Sequence, residues 1–205
     1  NKYELQGNKL FFIENDTLIS LPVPQTVTKV NNEDVKPLET YTIPSNVTKL
    51  SNYCFANCEE LTEIKGLEKI KEFGKGCFFN CPKLCNNENS IFENFKPKTQ
   101  FGMISLFQKE LLEEWSGLKC GHVIFNSEKD DWKESTSVFN KTIIGKKQLM
   151  FVIEDNDGEI FGYYLNTEVI ENYEGRIETD SKTFEFNLQS EKNRLNQPIK
   201  FKIID

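Results

Sequence analysis

A five-residue pattern, Cys54-Phe55-Ala56-Asn57-Cys58, returns 23 positions later as Cys77-Phe78-Phe79-Asn80-Cys81. The echo is wider than the pattern, because Val47, Leu50 and Leu61 reappear at the same spacing as Ile70, Phe73 and Leu84. A period of this length predicts a solenoid, whose units cannot bury their apolar edges alone and bury them against the next unit. Such stacks offer extended binding surfaces and rarely carry out chemistry. The first expectation is therefore a non-enzymatic protein.

The 205 residues suffice for one large or two small domains, and 17 Phe side chains supply much of the apolar bulk for their cores. The net charge of −7 is unevenly spread. Residues 1–100 carry 12 Lys/Arg against 13 Asp/Glu, whereas residues 101–205 carry 13 against 19. An acidic second half argues against nucleic acid or an anionic membrane as partner, since both need a basic face. No apolar run approaches a membrane span and no secretory signal opens the chain, so membrane insertion is not expected. The chain opens on Asn1 rather than Met, which fits a fragment.

Five of the six cysteines (Cys54, Cys58, Cys77, Cys81, Cys85) lie in the repeats, and Cys120 stands apart. Their Cys-x-x-x-Cys spacing differs from the Cys-x-x-Cys pairs of zinc sites, and the single histidine, His122, is remote. Disulfides are the expectation if the protein is secreted. The reading that fits the repeat best is that of reduced, small, inward-facing side chains. No metal or cofactor is expected.

Along the first half, Leu10–Ile13 and Thr17–Leu21 flank Glu14-Asn15-Asp16 as a hairpin with a three-residue loop. A proline-bearing element occurs as Pro24–Val30 and again as Pro44–Leu50, at an offset of 20 that marks an irregular terminal repeat. Leu61–Ile64 is the strand expected after the first Cys-Phe-x-Asn-Cys turn, with Leu61 inward. The Asn-rich run Cys85–Ser90 ends the repeats, Phe92 and Phe95 anchor the next stretch, and Pro97 precedes a domain boundary near residue 100.

Val47-x-x-Leu50-x-x-x-Cys54-Phe55-x-Asn57-Cys58-x-x-Leu61-x-x-Ile64 resembles the BspA-type leucine-rich repeat, over about residues 20–88. The resemblance implies short parallel strands along one face of a stack, with turns or short helical pieces on the other. Two and a half repeats are few for an independent stack. Either further repeats precede Asn1 or the second domain caps them.

In the second half, Ser105 is placed to N-cap a helix running through Trp115, with Leu106, Leu111 and Leu112 on one stripe and Gly117 as its stop. Val123–Phe125 reads as a short strand. Gln148–Glu154 and Glu159–Leu165 flank Asp155-Asn156-Asp157-Gly158 as a hairpin. Thr183–Leu188 and Ile199–Ile203 alternate as strands. Trp115, Gly158, Phe161, Gly162, Phe184 and Phe186, in that order, resemble the TLDc domain family over about residues 104–190. That resemblance implies an interaction module with links to oxidative-stress resistance and to a vacuolar ATPase subunit as partner, and pairing with short repeats suggests a protist family. The family carries a glycine-rich segment where this chain has no Gly after Gly175, so a truncated or divergent module is expected.

The resulting fold class is α+β: a short leucine-rich-repeat solenoid (residues 1–100, with an N-terminal hairpin) joined to a mostly antiparallel, sandwich-like sheet domain with a leading helix (101–205). The candidate interaction residues are Thr62, Glu63 and Lys65 on the outward repeat surface, with Tyr163 and Tyr164, one of which alternation places in the core. The structural signature of the repeats is Cys54, Phe55 and Cys58 with Cys77, Phe78 and Cys81.

Three other motifs carry little. An EF-hand register that sets Gly158 sixth puts Ile153 at the first ligand position, which cannot ligate. Cys120 and His122 are near neighbours without an orienting third group. The sequons at Asn15, Asn46 and Asn140 serve as a test of compartment, as free thiols do. The function expected is that of a cytoplasmic, non-enzymatic protein–protein interaction or regulatory protein. The alternative is a cell-surface adhesin or receptor fragment.

Overall fold

The computed structural model describes residues 3–24, 26–96, 102–134, 137–171, 179–190 and 197–203. Pro97, Gly175 and Asp205 lie outside them. The chain divides into two compact units, the first mainly Asn1–Thr99 with Ile104–Phe107, the second mainly Gln108–Ser190 with Pro198–Asp205.

The first unit opens with strands β1 (Glu4–Gln6), β2 (Lys9–Glu14) and β3 (Thr17–Pro22), which pair antiparallel in sequence. Glu14 faces Thr17, so the turn between β2 and β3 holds two residues, Asn15 and Asp16, rather than three. Asn15 adopts φ 55, the left-handed conformation that tight hairpin turns require. Strands β4 (Lys29–Val30) and β5 (Glu33–Asp34) form a second tight hairpin around Asn31 and Asn32, both left-handed. The end of the proline element, Lys29–Val30, thus pairs outside the parallel ladders, and its 20-residue offset falls three short of the period.

The repeats proper add β6 (Thr40–Thr42), β7 (Lys49–Leu50), β8 (Glu63–Lys65) and β9 (Glu72–Phe73). β3, β7 and β9 pair in parallel, placing Leu18 beside Leu50 and Leu50 beside Phe73. β6 pairs in parallel with β8, placing Tyr41 beside Ile64. Each repeat therefore contributes to two short ladders, not to the single line of strands expected. Leu61 is fully buried as expected, but its strand starts two residues later, at Glu63.

Between the strands, Tyr53, Phe55 and Asn57 donate backbone N–H groups to the carbonyls of Lys75, Cys77 and Phe79, each at 2.8 Å. This register carries every residue of the first Cys-Phe-x-Asn-Cys turn onto its copy. Phe55 consequently stacks on Phe78 with centroids 6.1 Å apart and planes at 15°. The translation stops there. Phe92 and Phe95 meet Phe78 edge-on at 86° and 89° from the segment after helix α1 (Pro82–Cys85). The short 3-10 helix Ser90–Phe95, N-capped by Asn89, holds that aromatic cap.

The second unit is entered by helix α2 (Leu106–Ser116), which begins directly after Ser105 and ends at Gly117 with φ 73. Val123–Phe125 is not a strand; it belongs to an irregular segment in which Val123 is exposed and Phe125 packs edge-on against Phe139. Helix α3 (Phe139–Ile143) is next in the chain. Strands β10 (Leu149–Glu154), β11 (Ile160–Leu165), β12 (Phe184–Gln189) and β13 (Ile199–Lys202) then form one antiparallel sheet in sequence order. Among the described residues this is a single sheet with a helix-derived contact on each face, so the sandwich-like expectation is corrected. Trp115 of α2 meets Phe184 on one face, and Phe139 of α3 meets Phe151 on the other.

Candidate interaction surface

The outward positions of the repeats follow from strand alternation. Tyr41 and Ile64 point into the core and are buried, so Thr40, Thr42, Glu63 and Lys65 face outward and are exposed. Glu63 lies beside Thr40 and Lys65 beside Thr42, and Lys65 pairs loosely with Glu63 at 3.8 Å. Thr62 is exposed as well, but its hydroxyl donates to the carbonyl of Glu39 at 3.0 Å. That contact ties two repeats together and leaves the Thr62 hydroxyl engaged within the stack.

A second outward ladder was not legible as a site. Thr17, Lys49 and Glu72 occupy successive parallel rungs, and Lys49 meets Glu72 at 3.1 Å. Asp16 accepts the Thr48 hydroxyl at 2.6 Å, which holds its carboxyl below the usual range, while Glu72 raises the Lys49 amine. The signal was present as opposite charges 23 positions apart. Glu60 and Lys83 form another such ion pair. Asn52 accepts the Lys75 backbone N–H at 2.8 Å, at the same separation.

The repeat cysteines are packed within the core and are free thiols. Cys54 donates to the carbonyl of Leu18 at 3.5 Å, and Cys81 to that of Phe55 at 2.9 Å. These two are more than apolar filler, because each reaches a carbonyl in a preceding rung. Burial pushes the Cys54 thiol up to about 12 and Cys85 to about 11, and drives Cys77 and Cys81 upward too. Cys58 is the exception: its contact with Cys81 lowers its thiol, but its burial in the core keeps it away from the reagents a reactive cysteine must meet.

Cys120 and His122 do not form a strand-borne pair, since their segment is irregular. Cys120 is half-buried, and its backbone N–H donates to Glu113 at 3.0 Å. Burial and the Glu113 carboxylate both raise its thiol, the opposite of nucleophile activation. Glu113 itself is buried, bound by Lys109 and Lys119 at 2.7 Å each and held at about 2 by those contacts. It fastens the end of α2 to the residues after it. Among the described residues no group of three or more His, Cys, Asp or Glu side chains is arranged for a metal, and no helix is long and apolar enough to cross a membrane.

Of the two tyrosines, Tyr163 is half-buried and stacks on Phe151 at 5.4 Å. Tyr164 is core, donating its hydroxyl to Asn166 at 3.0 Å, so it is withdrawn from the surface candidates. Gly158 sits in the hairpin turn with φ 79. Gly162 lies where a Cβ would run into the Phe151 carbonyl and the Phe186 ring. Phe184 and Phe186 are buried, whereas Phe161 is 37% exposed.

Parallel ladders, with a 23-residue step from β6 to β8 and from β7 to β9, an aromatic cap and an outward polar surface define a leucine-rich-repeat protein region. Residues 7–96 match the family model described as BspA type Leucine rich repeat region, in six copies. The match takes in the β2–β3 hairpin, so the repeat region starts earlier than residue 20. It ends before the second unit, to which it assigns no family. No curated protein and no solved structure matched this chain.

Proposed function

We propose that this chain is a non-enzymatic protein–protein interaction module whose repeat region presents the Thr40/Thr42 and Glu63/Lys65 rungs to a protein partner. One observation carries the reading. The inward residues of this ladder are buried while both outward rows are exposed and polar. The repeats themselves read as a short solenoid, closed at one side by the β1–β3 hairpins and at the other by Phe92 and Phe95. The TLDc-like reading of the second unit, with its oxidative-stress and proton-pump links, rests on the resemblance of residues 104–190 alone.

The experiment is capture of partners on immobilised chain, with wild type compared against the double variant Glu63→Lys/Lys65→Glu. A partner retained by wild type and lost by the variant, at an unchanged melting temperature, supports the reading. A partner set unaffected by the double reversal overturns it. The proposed compartment is reducing, and five thiols packed as small core side chains support that. Intact mass and thiol counting on natively expressed protein test it. Glycan on Asn15, Asn46 or Asn140 makes the cell-surface reading the leading one.

A further inference from the structure

Strand β13 alternates Ile199, Lys200, Phe201, Lys202, and elementary patterning places its apolar residues in the core. The register does the reverse. Phe186 faces Lys200 and Phe184 faces Lys202, so the lysines share the face of the buried Phe184 and Phe186. The Lys200 amine lies 4.2 Å from the centre of the Phe184 ring and donates to the Trp115 carbonyl at 2.8 Å. Ile199 and Phe201 are thereby turned to the opposite face.

On that opposite face the register forms two rows across the sheet: Ile153, Phe161, Asn187, Ile199, and Phe151, Tyr163, Glu185, Phe201. The end nearest α3 is covered, since Phe139, Ile143 and Val169 pack with Leu149, Phe151, Tyr163 and Leu165. The row next to the β10–β11 hairpin and the β13 edge are open. Ile153 is 48%, Phe161 37% and Phe201 45% exposed. Two polar groups interrupt this apolar area. The Asn187 side-chain oxygen is buried without a hydrogen-bond partner, which costs about 1–3 kcal/mol while unmet. The exposed Glu185 carboxylate stands between Tyr163 and Phe201 in the register, and among the described residues no cation pairs with it.

We infer that this open sheet face is a second docking surface, fitted to a basic amphipathic peptide segment of a protein partner. Apolar side chains of the segment cover Ile153, Phe161 and Phe201. A Lys or Arg meets Glu185 between two aromatic rings, where a cation is favoured by the ring faces as well as by the carboxylate. A donor satisfies Asn187. Charge complementarity selects the occupant: the charged strand residue in these two rows is the acidic Glu185, while the sheet's lysines Lys200 and Lys202 sit on the other face. This surface is independent of the repeat rungs at Glu63 and Lys65, so loss of binding there leaves it intact.

The test uses the full chain and two synthetic 14-residue amphipathic peptides, one of Leu and Lys, the other with Glu in place of Lys. Binding is followed by amide chemical shifts and by titration. The Leu/Lys peptide is expected to bind with shifts centred on residues 151–154, 160–163, 185–187 and 199–202, and the Leu/Glu peptide is expected not to bind. Glu185→Gln should weaken binding about fivefold, the size of one cation contact with aromatic neighbours, and Phe161→Ser by at least that much. Glu134→Gln, a control of equal charge change, should leave it unchanged. No binding by wild type, equal binding by Glu185→Gln, or shifts centred elsewhere overturns the inference. Self-association in sedimentation that Phe161→Ser abolishes also overturns it, by making a second copy the occupant.

Discussion

Asn80 donates its side-chain amide to the side-chain oxygen of Asn57 at 2.9 Å, and both residues hold left-handed backbone, φ 52 and φ 58. The two features are one device. Asn is among the few residues that tolerate this conformation, and its amide supplies a donor and an acceptor that repeat along the stack. The contact joins equivalent positions of consecutive repeats, so it reads out the 23-residue step directly.

Asn57→Ala should therefore lose both the hydrogen bond and the tolerated backbone, destabilising the first unit by about 1–3 kcal/mol. Asn57→Gly retains the backbone conformation and should cost less. Urea denaturation of the two variants checks the order, and equal losses would show that the backbone contributes nothing.

The Phe55–Phe78 stack is continuous with the Phe92 cap, and all three rings are buried. Phe78→Ala should cost about 3–5 kcal/mol, the range for emptying a buried aromatic site. It should also expose the capping segment to limited proteolysis near residues 90–96. A cleavage pattern identical to wild type would count against the cap.

In the second unit, Gly162→Ala puts a methyl group against the Phe151 carbonyl and the Phe186 ring. Overpacking of this kind costs about 1–3 kcal/mol, and backbone on one side leaves little room to relax. The expected readout is a lower unfolding midpoint reported by Trp115 fluorescence, with the first unit's midpoint unchanged.

Glu113 supplies a pH dependence with a defined sign. Its folded-state carboxyl is lowered from 4.5 to about 2, so its contribution is present above the unfolded value and is lost as pH falls through that window. Wild type should exceed Glu113→Gln in stability at pH 7. The gap should close between about pH 4.5 and pH 2 in denaturation series. A gap constant across the window would refute the assignment.

Thiol reactivity separates the cysteines. Cys120 is half-buried while the other five are buried, and burial raises the Cys120 thiol too. An aromatic disulfide reagent should label one thiol slowly in the native chain and six in denaturant. Rapid native labelling of the repeat thiols would mean that the stack is open in solution.

Much of the repeat region was legible because a repeated contact leaves a repeated residue. Phe55 and Phe78, and Asn57 and Asn80, recur because a parallel step carries each position onto its copy. The β10–β11 hairpin was legible for a local reason: Gly158 adopts the left-handed turn its Asp-Gly pair announces, and the Asp155 carboxylate accepts the backbone N–H groups of Asp157 and Glu159 at 2.9 Å. Val123–Phe125 has the composition of a strand without being one, because a short apolar run does not reveal whether a strand partner exists.

The sequence by itself determined the period, the inward positions of the two Cys-Phe-x-Asn-Cys turns and the β10–β11 turn, since these depend on neighbours along the chain or one repeat away. Only the tertiary structure decided which face of β13 is buried. Alternation defines two faces without naming them, and the choice belongs to the register with β12, which sets Lys200 over Phe184 and turns Phe201 outward. The same holds for Tyr163 and Tyr164. Adjacent residues on a strand must part to opposite faces, but the packing of distant elements decides which face is covered.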